Sequence, residues 1–177
     1  MTTITERTKF PQVLLIEDNH GDAVLIQRAF KKAAIPGNVT VARTAEIGLS
    51  ILRRESGFAQ TPYPDIILLD VNLPYMGGSQ FLEVVKADPE LRLIPVIVMS
   101  SSKAEIDLQA TYKAYANGFV IKPFVPTDYD HVIKTIEDYW FQVNETPATH
   151  DPVPPKAQAK DAVPRPVETA SEPTGRR

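Results

Sequence analysis

The sequence has no cysteine among its 177 residues. This absence excludes a disulfide framework, a thiolate zinc site and a cysteine nucleophile. Long apolar runs are also lacking: the longest resemble Val13–Ile16 and Pro95–Met99, whereas a membrane helix needs about 20 apolar residues. The net charge of −3 shows no basic excess for nucleic acid, and the polar first nine residues contain no signal-peptide core. We therefore expect a soluble cytoplasmic protein without a nucleic-acid or membrane partner.

Composition divides the sequence into three parts. Residues 1–9 form a polar extension, and residues 10–143 carry the large apolar side chains. Residues 144–177 hold seven of the sixteen prolines and contain no Ile, Leu, Met, Phe, Tyr or Trp. Such a segment cannot bury enough apolar surface to offset an ordering cost of about 1–2 kcal/mol per residue. We predict one folded domain over 10–143 and a disordered, proline- and alanine-rich tail over 144–177.

Within residues 10–143, short apolar runs alternate with segments of helical period. Unbroken apolar character is typical of strands that are covered on both faces of a parallel sheet. Such runs occur at Val13–Ile16, Ile66–Leu69, Val96–Met99 and Phe119–Ile121, with a weaker, edge-like candidate at Val39–Ala42. Strands separated by helices imply right-handed βαβ units. The predicted fold is therefore a doubly wound α/β domain with a five-stranded parallel sheet, whose ligands bind at the carboxyl ends of the strands.

Polar side chains follow the predicted strands at that edge. Glu17 and Asp18 come after the first strand, Asp70 ends the third, Ser100 ends the fourth, and Lys122 follows the fifth. Each alone is more typical of a helix cap or a solvated surface charge. Their joint occurrence at one end of successive strands predicts that they converge on one site.

The chemistry of these side chains favours a magnesium-dependent phosphoryl site. Three carboxylates in contact repel one another unless a cation lies among them, and hard oxygen ligands favour Mg²⁺. The absence of cysteine, with His20 as the only nearby histidine, argues against zinc. Lys122 would add a positive charge and Ser100 a hydrogen bond. Asp70, on the middle strand, is then the candidate nucleophile that would form an aspartyl phosphate.

The segments Val13–Asn19, Ile66–Pro74 and Ile121–Phe124 resemble, in this order, the receiver domain of two-component response regulators. The resemblance covers about residues 10–143 and implies the (βα)5 flavodoxin-like receiver fold. It implies that Asp70 accepts a phosphoryl group from a sensor histidine kinase, so that the protein is a phosphoacceptor rather than an enzyme with a separate substrate.

The resemblance also assigns roles within the site. Mg²⁺ would be held by Asp70, the side chains of Glu17 and Asp18, and the main-chain carbonyl of Asn72. Glu17 stands where the family usually has Asp. The glutamate side chain is longer and can still reach the metal.

Further roles follow from the same resemblance. Ser100 and Lys122 would act with Asp70, and Ser100 and Phe119 would be the switch residues. The Lys122–Pro123 bond is expected to be cis, as in receivers generally. Gly77–Gly78 replaces the usual Asp-Gly, so we expect Ser79 to cap the following helix.

A narrower resemblance concerns the insertion Gly57–Pro64, the turn Ala87–Pro89 and the aromatic segment Ile136–Phe141. They are similar to single-domain regulators that partner bacteriophytochrome histidine kinases and have no DNA-binding output domain. This similarity makes a bacteriophytochrome the candidate kinase and implies signalling through protein–protein contacts.

An apolar face on the fourth helix predicts self-association. Ile106, Ala110 and Ala114 suit contact with the sheet, whereas another side of the helix and the end of the last helix carry a second set, Leu108, Tyr112, Tyr115 and Phe141. In the last helix we place Phe141 off the apolar stripe that includes Trp140. Contiguous exposed apolar groups usually bind a partner. We therefore predict a homodimer through the fourth-helix, fifth-strand and fifth-helix face.

Three other interpretations compete with a receiver. A phosphatase of the haloacid-dehalogenase type needs a second acid two residues after the nucleophile, and that position is Asn72. A flavodoxin-like cofactor binder needs a phosphate-cradling loop after the first strand, where Glu17 and Asp18 would repel phosphate. A receiver that is never phosphorylated stays open as an alternative.

Overall fold

The computed structural model describes residues 10–33, 37–55, 57–101 and 105–146. They form one parallel sheet in the strand order β2-β1-β3-β4-β5. Its strands are β1 Gln12–Ile16, β2 Asn38–Ala42, β3 Ile66–Asp70, β4 Val96–Ser100 and β5 Gly118–Ile121. The helices are α1 His20–Lys32, α2 Ala45–Leu52, α3 Gly78–Ala87, α4 Glu105–Lys113 and α5 Asp128–Glu137. The predicted doubly wound architecture is confirmed, with β2 at an edge.

Side chains of the central strands alternate between two apolar layers. Leu14 and Leu69 belong to the layer that contains Phe81 of α3. Val13 and Leu68 belong to the opposite layer, which contains side chains of α1 and α5. Because β1, β3 and β4 are buried along their whole length, they form a rigid platform at whose carboxyl edge polar side chains are held.

Two predictions concern residues that the structure does not describe. The predicted extension 1–9 lies outside the described residues, as do residues 147–177 of the predicted tail. The disorder of the tail stays a prediction. Among the described helices, none has both the length and the apolar character that crossing a membrane requires.

The end of the last helix differs from the prediction. Residues Asp138–Val143 form a π-helical turn, in which the Asn144 N–H donates to the Tyr139 carbonyl at 2.8 Å. A π turn places residues five apart on the same face, so Phe141 follows Ile136 into the core. Phe141 is only 7% exposed, whereas Val143 is 74% exposed. The prediction of Phe141 as an interface residue is therefore wrong.

The orientation of α4 is also partly different from the prediction. Thr111 is buried and Ala110 is exposed, so the sheet-facing side is rotated from the predicted alanine side. Leu108 is half-buried, whereas Tyr112 and Tyr115 are 53% and 76% exposed. The two tyrosines thus stand on the surface as expected, and Leu108 contributes less to it. The side chain of Ile106 lies outside the described residues.

The start of α3 lies directly against the strand end that carries Asp70. The helix begins at Gly78 with Gly77 as its N-cap and no side-chain cap, so the expected cap at Ser79 is wrong. A Cβ on Gly78 would overlap the Asp70 carbonyl oxygen and lie 2.8 Å from the Val71 Cα. Gly77 has open space around it. Gly78 is therefore required by the close approach of two backbones.

We predict opposite consequences for substitutions at these adjacent glycines. Gly78→Ala should lower the free energy of unfolding by about 2 kcal/mol, because the new methyl group forces a backbone shift. Gly77→Ser should leave it unchanged or raise it by a few tenths of a kcal/mol, because serine is a good N-cap. Urea unfolding of both variants measures the difference. Equal losses in the two variants would contradict the close approach.

Candidate functional site

The carboxyl ends of the adjacent strands β1 and β3 bring three carboxylates together. Glu17 follows β1 and is 1% exposed, and Asp70 ends β3 and is 5% exposed. Asp18 stands beside them at the surface. One ligand oxygen from each of the three lies within 4.8 Å of the others. An all-oxygen set of this size and charge suits a hard dication such as Mg²⁺.

Each of the two buried carboxylates is held at both of its oxygens. Glu17 accepts the Asn19 N–H at Oε1 (3.2 Å), and Asp70 accepts the Asn72 N–H at Oδ1 (2.9 Å). The second oxygens, Glu17 Oε2 and Asp70 Oδ2, accept from the Lys122 ammonium at 2.7 and 2.6 Å. These contacts orient both groups before any ligand binds. The Asn72 carbonyl as a metal ligand stays a prediction.

Lys122 reaches the carboxylates from the end of β5. Its side chain is 4% exposed. The main-chain N–H of Lys122 donates to the Ser100 carbonyl at 2.8 Å, which continues the pairing of β5 with β4. The described chain contains no cis peptide bond, so the expected cis Lys122–Pro123 bond is wrong. The lysine side chain is long enough to reach Asp70 and Glu17 from a trans bond.

Burial and ion pairing act in opposite directions on these groups. Burial raises the pKa of Glu17 to about 7, although the hydrogen bond and charge of Lys122 lower it. Burial lowers the pKa of Lys122, but hydrogen bonds and charges from Asp70 and Glu17 outweigh it and raise the pKa above the usual value. Lys122 is therefore a firmly charged group. It only partly compensates the carboxylates, so a further cation is electrostatically favoured.

The predicted switch residues lie on β4, which is next to β3, and on β5, which is next to β4. Ser100 ends β4 and is fully buried. Phe119 on β5 pairs with Val98, is half-buried, and packs against the apolar layer that contains Phe81. Ser100 is thus at the site edge, whereas Phe119 lies one strand further away. Their roles as switches stay predictions.

Sequence reasoning missed Asp22 and Arg43. Asp22, in the first turn of α1, accepts from Lys122 at 3.0 Å. Arg43, after β2, contacts His20 Nδ1 at 2.9 Å and the Glu17 carbonyl at 3.5 Å. Asp22 stands four residues after Asp18, in the first turn of the helix that follows the acidic pair, and this proximity in sequence was the available signal. Arg43 offered none, because a single arginine after an edge strand is common.

A five-stranded parallel α/β domain with an acidic cluster and a buried lysine at its carboxyl edge has the architecture of a receiver. The profile of the response regulator receiver domain family matches residues 13–134. The chain belongs to this family.

The chain matches individual relatives over most of their length. The chain is 34% identical to the probable methanogenesis regulatory protein FilR2 of Methanothrix harundinacea over 76% of the chain and 86% of that protein. It is 31% identical to the response regulator Rcp1 of Synechocystis over 77% and 92%.

Solved structures give the same result. The phosphorylated cyanobacterial phytochrome response regulator RcpA has a TM-score of 0.75 and 34% identity, over 78% of this chain and 99% of RcpA. The Mn²⁺-bound form of Rcp1 has a TM-score of 0.72 and 30% identity, over 78% and 99%. The chain is thus a receiver-domain protein homologous to phytochrome response regulators.

The acidic cluster leads to a metal-binding prediction. Asp18→Ala should weaken Mg²⁺ binding by about tenfold or more, because the charge and number of ligands set the affinity for such ions. Asp130→Ala removes an exposed carboxylate that pairs with Lys32 and should leave binding unchanged. Calorimetric titration with MgCl₂ measures both, and an unaltered affinity in Asp18→Ala would place the ion elsewhere.

Proposed function

We propose that this protein accepts a phosphoryl group on Asp70 from a sensor histidine kinase in a Mg²⁺-dependent reaction. The observation that carries the proposal is the environment of Asp70: a buried strand-end carboxylate with the Lys122 ammonium at 2.6 Å and two further carboxylates close enough to share an ion. In the transfer, an Asp70 carboxylate oxygen bonds to phosphorus as the phosphorus–nitrogen bond of phosphohistidine breaks. The leaving imidazole keeps the electron pair and takes a proton.

The chain's own groups supply most of this chemistry. The Asn72 N–H holds Asp70 Oδ1 and leaves Oδ2 facing Lys122. The ammonium would stabilise the negative charge on the phosphoryl oxygens, and the Ser100 hydroxyl would donate a hydrogen bond. A bound Mg²⁺, held by Glu17, Asp18 and Asp70, would neutralise further phosphoryl charge.

A phosphatase is a weaker proposal. Asn72 stands where an acid would have to protonate the leaving group, and an amide cannot do so. Its main-chain N–H instead fixes the Asp70 carboxylate. We therefore propose a phosphoacceptor whose phosphorylated form is the signal. A receiver that is never phosphorylated is the alternative that the next experiment tests.

We predict that Asp70→Asn abolishes phosphorylation. The purified chain is incubated with acetyl phosphate and Mg²⁺, and the added mass is followed by intact-protein mass spectrometry. Wild type should gain one hydroxylamine-sensitive phosphoryl group, and Asp70→Asn none, because an amide is not a nucleophile here. Asp130→Asn is the control with the same chemical change at an exposed site. Phosphorylation of Asp70→Asn would refute the assignment, and a wild type that stays unmodified would favour the unphosphorylated alternative.

A phytochrome-type histidine kinase, in this case a bacteriophytochrome, is the proposed phosphoryl donor. Support comes from RcpA, described as a phytochrome response regulator, which this chain matches over nearly its whole length. FilR2, at the same identity, is described as a probable methanogenesis regulatory protein, so sequence identity alone does not select a light-sensing kinase. Phosphotransfer from the light and dark forms of a bacteriophytochrome tests the proposal directly. We propose that the protein acts in the cytoplasm through protein contacts, without a nucleic-acid or membrane partner.

Homodimerisation through the α4-β5-α5 face remains part of the proposal. Its support is a set of exposed side chains on α4, in the turn after it and on β5: Tyr112, Tyr115 and Ile121, the last 43% exposed. Phe141 is excluded because it is buried, and half-buried Leu108 would contribute at most its edge. An aromatic surface of this kind is typical of the centre of an interface.

Tyr112→Glu should shift the protein from dimer to monomer. A carboxylate placed in an apolar interface is left without a partner, which should weaken association by about tenfold or more. Multi-angle light scattering over a concentration series measures the effect. Tyr75→Glu is the matched control, because Tyr75 is 91% exposed but lies in the loop between β3 and α3. A wild-type monomer, or a dimer indifferent to Tyr112→Glu, would rule this interface out.

A further inference from the structure

The Lys122 ammonium contacts three carboxylates, and only two of them belong to the candidate metal site. Its ammonium has three N–H donors, and these meet Asp70 Oδ2 at 2.6 Å, Glu17 Oε2 at 2.7 Å and Asp22 Oδ2 at 3.0 Å. Asp70 and Glu17 belong to the acidic cluster that suits an ion, and Asp22 does not. Asp22 is therefore the partner of Lys122 that has no predicted part in metal binding or phosphorylation.

The carboxylate of Asp22 is not occupied in capping α1. Asp22 is the third residue of the helix, a position from which an acidic side chain often accepts the N–H of the N-cap residue. Here the N-cap Asn19 donates its N–H to Glu17 instead. Asn19 caps the helix by accepting the Asp22 N–H at 3.2 Å. The Asp22 side chain is thus available to reach across to β5.

A buried tyrosine on α5 supports Asp22 from the other side. Tyr129, in the first turn of α5, is 3% exposed. Its pKa is raised to about 12 by burial, by the charge of Asp22 and by a hydrogen bond with that carboxylate. Its hydroxyl therefore stays protonated at neutral pH and can donate to Asp22. Asp22 connects α1, the end of β5 and α5 at one point.

We propose that Asp22 is a positioning residue for Lys122. It holds the ammonium in place while Asp70 gives up its contact with Lys122 to bond to the phosphoryl group and Glu17 gives up its contact to bind the metal. The inference rests on the proposed phosphorylation of Asp70. When one of the Asp70 carboxylate oxygens bonds to phosphorus, the contact of Lys122 with Asp70 weakens. When Glu17 binds a cation, its contact with Lys122 weakens as well. The Asp22 contact keeps the charge beside the incoming phosphoryl group.

The first experiment separates positioning from metal binding. Initial rates of phosphorylation by acetyl phosphate are measured on the full chain over a Mg²⁺ series. Asp22→Asn should lower the rate at saturating Mg²⁺ by about tenfold, the loss expected for one charge-assisted hydrogen bond, with a smaller change in half-saturating Mg²⁺. Asp22→Glu should recover most of the rate. Asp130→Asn is a matched control, because Asp130 also links α5 to α1, through Lys32, but on the surface.

A second readout observes the lysine directly and does not need phosphorylation. The ¹⁵Nζ–¹H signal of a held lysine ammonium is visible by NMR, and Lys122→Met identifies it. Asp22→Asn should shift or broaden this signal, and Asp130→Asn should not. Tyr129→Phe, which removes only the hydroxyl, should change both readouts in the same direction by a smaller factor and serves if Asp22→Asn does not fold.

The outcomes distinguish this inference from the proposed function. If wild type takes up no phosphoryl group, the proposed function fails and the NMR signal alone decides the role of Asp22. If wild type is phosphorylated but Asp22→Asn matches Asp130→Asn in rate and in the Lys122 signal, the positioning role is refuted. A change only in half-saturating Mg²⁺ would also refute it, since that is a charge effect on the ion.

Discussion

The buried ammonium of Lys122 is the contact on which the arrangement of the site depends. Two carboxylates that are almost inaccessible to water, Glu17 and Asp70, would each be costly to ionise alone, and burial indeed raises the pKa of Glu17. The lysine offsets that cost through direct contacts at 2.7 and 2.6 Å. Breaking a buried pair by removing one partner leaves an uncompensated charge. Lys122 therefore stabilises the arrangement of the site, but its single positive charge does not neutralise all of the carboxylates around it.

Strand order explains why this contact needs a lysine. Glu17 follows β1 and Lys122 follows β5, and in the sheet these strands are separated by β3 and β4. A four-carbon side chain can extend across the end of β4, with its apolar stem buried and its charge at the far end.

The sequence predicted those parts of the molecule that depend on local pattern. Unbroken apolar runs indicated four of the five strands, and a weaker, interrupted run indicated the edge strand β2. The polar residues after the strands indicated the edge where Glu17, Asp18, Asp70 and Lys122 meet. Two parts could not be predicted. Phe141 is buried because the helix widens into a π turn after Glu137, and a period of 3.6 cannot anticipate that change. The capping of α3 depends on the approach of Gly78 to the backbone of Asp70, which is a tertiary contact.

The two helical layers meet the site through different kinds of contact. On one side, α3 contacts the strand that carries Asp70 through close backbone packing at Gly78, where a Cβ would overlap the Asp70 carbonyl oxygen. On the other side, α1 reaches the site through the Asp22 carboxylate, which contacts Lys122, and α5 reaches Asp22 through the Tyr129 hydroxyl. We therefore expect a chemical change at Asp70 to act on α3 through packing and on α1 and α5 through charge. Because residues of α5 lie beside Ile121 at the exposed end of β5, the contacts that act through charge are those on the side of the proposed dimer face.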